Sequence, residues 1–213
     1  MAELAKNAMQ TVENLKIMLS IPDDDNSYDD FLTLLINYAS SWIESITGRR
    51  FGLNEYVQQL AGSGQQELVL RQYPIRIVAG IKDKDSGQVI PPQYYSYAED
   101  GEIGVIYRDE GWAARAFPTG LVPDYIRTRR YLEVSYTAGF VLPKDFAADT
   151  PEDWKLPASL QGIVSQIASQ ELALHENGAE GLSAFSISDV SWTFDKAPRE
   201  SWINILNTFQ RVV

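Results

Sequence analysis

The sequence contains no cysteine, which excludes a disulfide framework, a thiolate metal site and a thiol nucleophile. Its single histidine, His175, has Glu171 and Glu176 beside it, but a zinc centre or a nucleophile–base pair would then need an unusual ligand set. A histidine near a helix C-terminus is explained more simply by the helix dipole and a carboxylate neighbour. No apolar run approaches the roughly 20 residues that span a bilayer. No basic and then apolar leader opens the chain, so the expectation is a soluble protein that is not exported and meets no membrane. Positive charge is also scarce: 29 acidic against 18 basic side chains leave a net charge of −11. Such a chain lacks the electrostatic footprint of a tight nucleic-acid binder, whose affinity comes from cations displacing condensed counterions. Phosphate-cradling motifs are missing too. Gly62-Ser63-Gly64 lacks a third glycine and joins two expected strands, and there is no G-x-x-x-x-G-K-[ST].

What is present is enough for a real core. A chain of 213 residues buries about 70% of its unfolded surface, which allows one core or a core with an appended subdomain. Charge is uneven along it: residues 1–51 carry 8 acidic and 4 basic groups, 52–138 carry 11 and 9, and 139–213 carry 10 and 5. The flanks are acidic and the middle is nearly neutral.

The stretch 14–51 organises the rest. It reads as a short amphipathic helix, an acidic turn after Pro22, and a long helix over residues 31–46. In the long helix Phe31, Leu35, Tyr38, Trp42 and Ile46 form one apolar stripe, and Leu32, Ile36, Ala39 and Ile43 form a second beside it. Two stripes require two partners. Ser27 with Asp30 gives a helix start, and Gly48 a stop with Arg49 and Arg50 beside the last carbonyls. Asp23, Asp25 and Ser27 alternate as in a calcium loop, but Tyr28 and Leu34 stand where that loop needs glycine and glutamate. A solvated capping turn is the better account.

From residue 51 the period changes to two. Residues 54–60 and 67–70, joined by Gly62-Ser63-Gly64, read as a hairpin, with further strands at 75–81, around Tyr94, Tyr95 and Tyr97, at 103–107 and at 131–136. The irregular segment 108–130 interrupts this sheet. Its length and its aromatic content mark it as functional. Helix returns after Pro157, a connector follows Gly178, residues 187–194 read as a short strand or extended arm, and a last helix runs from about 199 to 211. The fold class expected is α+β: a helical core over 1–51 and 139–178, an inserted antiparallel β subdomain over 52–138, and a terminal connector, arm and helix over 179–213.

Taken together, the short helix at 15–19, the acidic turn at 23–30, the long helix and the ending Thr47-Gly48-Arg49-Arg50-Phe51 resemble the amino-terminal helical hairpin of the phage head-tail connector (adaptor) family. The order continues in Val134-Ser135-Tyr136-Thr137-Ala138-Gly139-Phe140 and the Pro157 helix. The resemblance implies a virion protein of the head-tail junction: a dodecameric ring under the portal protein that extends the DNA channel, lets DNA pass without tight binding and docks the next neck or tail protein. From the residues the expectation is no cofactor, no metal and no catalysis. The longer 108–130 segment and the terminal helix depart from the family pattern.

Three residue groups are candidates for function. Trp202, Ile203, Leu206 and Phe209, with Arg211, form an aromatic face suited to a helix-in-groove contact, and the resemblance implies that the terminal segment engages the portal. Arg115, Arg127, Arg129 and Arg130 are the basic concentration, suited to DNA phosphate or an acidic partner. Paired carboxylates at 23–25, 29–30, 99–102 and 109–110 keep an alternative open, a hydrolase acting on a polysaccharide.

Overall fold

The structure, a computed structural model, describes residues 2–98, 104–115, 130–176, 184–187, 190–193 and 200–210. It is an α+β protein of two compact units, residues 1–51 with 141–211, and residues 52–140.

The first unit is helical: α1 (Val12–Leu19), α2 (Asp29–Thr47), α3 (Ala158–Glu176) and α4 (Glu200–Thr208), with a small two-stranded sheet of β8 (Ala184–Ile187) and β9 (Val190–Thr193). The second stripe of α2 is the one fully covered. Leu32, Ile36, Ala39 and Ile43 have no exposed surface and meet α1, α3 and α4, whose apolar residues Leu15, Leu160, Val164, Trp202 and Leu206 are also buried. The first stripe is graded. Leu35 is buried, Phe31, Trp42 and Ile46 are half-buried, and Tyr38 is 57% exposed. Ahead of α1 the chain runs along α2: Ala5 N donates to Asn37 Oδ1 (2.8 Å), Met9 N to Ser40 Oγ (3.0 Å), and Gln10 Nε2 to Ser165 Oγ (3.0 Å).

The second unit holds two antiparallel sheets around one core. β1 (Asn54–Ala61), β7 (Arg130–Ala138), β3 (Ile75–Asp83) and β4 (Val89–Ile90) form one in the order β1-β7-β3-β4, and β2 (Glu67–Val69), β6 (Val105–Tyr107) and β5 (Ser96–Tyr97) the other in the order β2-β6-β5. Leu68, Leu70, Ile75, Ile81, Ile106, Trp112, Leu132, Val134 and Tyr136 fill the space between them.

Two sequence expectations change here. Strands β1 and β2 do not pair as a hairpin; β1 pairs with β7 and β2 with β6. Gly62 lies where the chain passes from one sheet to the other, and a Cβ there would stand 1.9 Å from the Ala113 carbonyl oxygen. The glycine is needed for that close approach. The helix α2 starts earlier than its stripe, at Asp29, and its cap residue Tyr28 makes no side-chain capping bond. Asp25 instead accepts from Ser27 N and Oγ, and Asp30 accepts from Ala2 N.

Candidate functional site

The C-terminal end of α2 is a joint built from the residues 47–51. Thr47 Oγ1 donates to the Ile43 carbonyl at 2.8 Å. Gly48 ends the helix in the left-handed conformation at φ 66°, its N–H returning to the Glu44 carbonyl. The two arginines that follow reach other partners. Arg49 sends Nη1 to the Phe209 carbonyl at 3.1 Å, just past α4, and lies over the Phe51 ring at 5.1 Å. Its cation thus meets the negative end of a different helix. Arg50 pairs with Glu44 at 3.1 Å. Glu44 is a buried carboxylate that also accepts from Asn7 Nδ2 (2.9 Å) and Phe51 N (3.2 Å). Phe51 is fully buried and meets Phe209 edge to face, with centroids 6.1 Å apart.

The acidic turn has a counter-ion. Lys16 is buried, and its Nζ lies 2.6 Å from Asp29 Oδ1, 3.3 Å from Asn26 Oδ1 and 3.4 Å from the Asp23 carbonyl. The turn therefore wraps an ammonium group. Asp25 sits below its ordinary pKa because it accepts from the Ser27 hydroxyl and amide.

Arg115 is engaged by carboxylates of the β unit, with its side chain 40% exposed. Its guanidinium reaches Asp83 at 2.7 Å and Asp85 at 3.2 Å and stacks on Tyr131 at 3.9 Å. Tyr131 in turn donates to the Ala113 carbonyl at 2.6 Å. The side-chain bond from Arg115 lowers the pKa of Asp83, and the same bond raises that of Arg115. Arg130 is exposed at the start of β7, while Arg127 and Arg129 lie outside the described residues. Trp112 is buried in the core with Nε1 on the Ile106 carbonyl. Tyr136 has its phenol pushed up to about 12 by burial, while the Gln72 amide opposes that rise.

The terminal-helix residues divide. Trp202 and Leu206 are 5% and 0% exposed; Trp202 Nε1 donates to Gln166 Oε1 of α3 at 2.6 Å. These two side chains are buried on their own unit. Ile203 and Phe209 are half-buried, Ile205 is exposed, and Arg211 lies outside the described residues. His175 stacks on Phe31, centroids 4.6 Å apart. Open apolar surface of the helical unit lies elsewhere, at Ile17 and Met18 of α1 and Leu34 and Tyr38 of α2. Sequence reasoning missed Lys16, Glu44 and Asp83; the one available signal was a lysine on α1 facing a run of aspartates.

Of the expected carboxylate pairs, Asp29 is met by Lys16 and Glu110 by Arg108, and those at 99–102 lie outside the described residues; Glu44 and Asp83 are met by Arg50 and Arg115. The carboxylates of Asp25 and Asp83 are shifted down, opposite to what a general acid needs. Among the described residues no group of three or more His, Cys, Asp or Glu is arranged to hold a metal ion, and no helix is long and apolar enough to cross a membrane.

The described residues thus combine open apolar side chains on α1 and α2 with locally paired acids in an α+β fold. Residues 9–88 match the family described as phage gp6-like head-tail connector protein. The segment holds the helical hairpin, the joint at 47–51 and the first strands of the β unit. Among solved structures the chain is similar to a chain of the neck of a native GTA particle computed with C12 symmetry, at 15% identity and TM-score 0.54, over 100% of this chain and 94% of that one. A chain of the neck of the empty GTA particle computed with C6 symmetry is similar at 15% identity and TM-score 0.53, over 100% and 94%. A chain from the virion of the native gene transfer agent particle gives 15% identity and TM-score 0.55, over 99% and 94%. These likenesses describe the fold. No curated protein matches the chain.

Proposed function

We propose that the protein is a structural head-tail connector: copies form a ring, dodecameric like the C12 neck whose chain it resembles, under the portal protein of a tailed phage-like particle. The ring extends the DNA channel and gives the next neck or tail protein a docking surface. It works without catalysis or a cofactor. The observation that carries this reading is the coincidence of the family match over 9–88 with a fold likeness over the full chain to neck chains.

The helical unit supplies a surface for self-association. Leu34 and Tyr38 lie one turn apart on α2, each 57% exposed, and exposed apolar side chains at helical spacing suit a neighbouring copy. On the terminal helix, Ile203, Ile205 and Phe209 keep surface for the portal, whereas Trp202 and Leu206 hold the helix to its own unit. A net charge of −11 disfavours tight contact with packaged DNA, so DNA slides past the protein.

The test is electron microscopy of the protein mixed with its portal. Rings seated on the portal are expected. Particles with bare portals, or a channel lined by arginine with an acidic exterior, would overturn the assembly and the sliding readings respectively.

A further inference from the structure

Beside the three-stranded sheet of the β unit lies a cleft of about 230 Å³, lined by Tyr94, Tyr95, Ser96, Tyr107, Asp109 and Glu110. Backbone bonds fix its walls. Pairing of β5 with β6 sets Ser96 opposite Tyr107. The Tyr94 and Tyr95 amides close a tight turn on the Pro91 and Pro92 carbonyls, at 3.0 and 3.3 Å. Beyond Tyr107, the Arg108 amide donates to the Gln66 carbonyl (2.9 Å), and Gln66 Nε2 donates to the Asp109 carbonyl (3.0 Å). A cleft held in this way needs little ordering before it receives a ligand.

The lining combines phenol rings with carboxylates. Tyr94 and Tyr107 are 52% and 45% exposed, although Ile106, next to Tyr107 on β6, is fully buried. Glu110 is met by Arg108 at 2.9 Å, whereas Asp109 meets no cation among the described residues. Aromatic faces carry negative potential, so tyrosines beside an unpaired carboxylate favour a positive charge. The same unit shows this set with its cation in place. The Arg115 guanidinium stacks on Tyr131 at 3.9 Å and takes Asp83 and Asp85 as its anions. The cleft has the corresponding phenols and carboxylates and lacks the arginine.

We propose that this cleft binds an arginine side chain presented by another protein of the assembly. From the connector reading the proposal takes only that other proteins dock on this chain. Its volume is below the roughly 300–1,000 Å³ of pockets that enclose a whole small molecule, and suits a single side chain. Arginine fits better than lysine. A planar guanidinium lies flat on a phenol while its N–H groups fork to a carboxylate, and it is less strongly hydrated than an ammonium group. An arginine seated among tyrosines is also a common anchor of protein interfaces.

The test is NMR of the full chain with labelled tyrosine rings, titrated with a short glycine-flanked peptide that carries one arginine and is blocked at both ends. Matched peptides carry lysine or the uncharged isostere citrulline. The Tyr94 and Tyr107 signals are expected to move and to saturate at millimolar arginine peptide. The citrulline peptide should move neither, and the lysine peptide should bind more weakly. Asp109→Asn and Tyr107→Ala should each weaken the arginine peptide by about two- to fivefold, with the Tyr131 ring signals unmoved as the check on folding. Equal binding of citrulline, or still Tyr94 and Tyr107 signals, overturns the proposal; equal binding of lysine overturns the choice of arginine. Spermidine that displaces the arginine peptide at a lower concentration assigns the cleft to a free polyamine and overturns a protein-borne occupant. Rings on the portal without peptide binding overturn this proposal and leave the connector reading standing. Peptide binding without rings does the reverse.

Discussion

Glu44 shows how one residue can hold three segments at once. Its carboxylate joins Asn7 of the leading segment, Arg50 and the Phe51 amide, and removing it leaves a buried N–H without its acceptor. Glu44→Ala is expected to cost about 3 kcal/mol in urea denaturation. Glu44→Gln, which can still accept from the amide, is expected to cost less. At Gly62 the outcome is steric: Gly62→Ala forces a methyl into the Ala113 carbonyl, and a loss of about 2 kcal/mol or more is expected in the same assay. Asp83 gives a pH signature. Its folded pKa is below the ordinary value because Arg115 donates to it. Between the folded value and the unfolded value near 4, the unfolded chain binds more protons, so this contribution is complete above that range and lost as pH falls through it. Thermal melts should show an acid destabilisation that starts below about pH 4 and is smaller in Asp83→Asn.

At the scale of elements, the period of the sequence was the most legible signal. Apolar spacing found α2, α3 and α4, and alternation found β1, β3 and β7, because each signal is carried within one element. Strand partners are not, which is why the run around Gly62 read as a hairpin: its turn chemistry is that of a hairpin, while the contact that decides its path comes from Ala113, far along the chain. Likewise the pattern showed an apolar face on α4 but not whether that face was for a neighbour or for α2 and α3. Trp202 and Leu206 are inside, so Trp202→Ala is expected to cost about 3–5 kcal/mol of stability. The converse holds on α2. Leu34→Glu with Tyr38→Glu should leave the melting temperature within a few degrees, because both sites are exposed, yet abolish rings in electron micrographs. Rings that survive this pair would place the copy-to-copy contact on another surface. Arg49 and Arg50 were read correctly as belonging to the helix end, but their partners, the Phe209 carbonyl and Glu44, are set by tertiary packing that spacing does not encode.

At the scale of the whole molecule, charge was visible from composition and its arrangement was not. The net −11 conceals neutralisation by design of position: Lys16 within the acidic turn and Arg115 between Asp83 and Asp85. Fluorescence anisotropy with duplex DNA at physiological salt should accordingly detect no tight complex, and lowering the salt should recover only weak binding. The joint at 47–51 has a mechanical consequence. Arg49 and Phe209 are separated by 160 positions in sequence, yet a guanidinium–carbonyl bond and an aromatic pair through Phe51 connect them. A pull exerted on the last helix, by whatever grips it, is handed straight across to the end of α2, a shortcut that spares the intervening polypeptide from transmitting the strain.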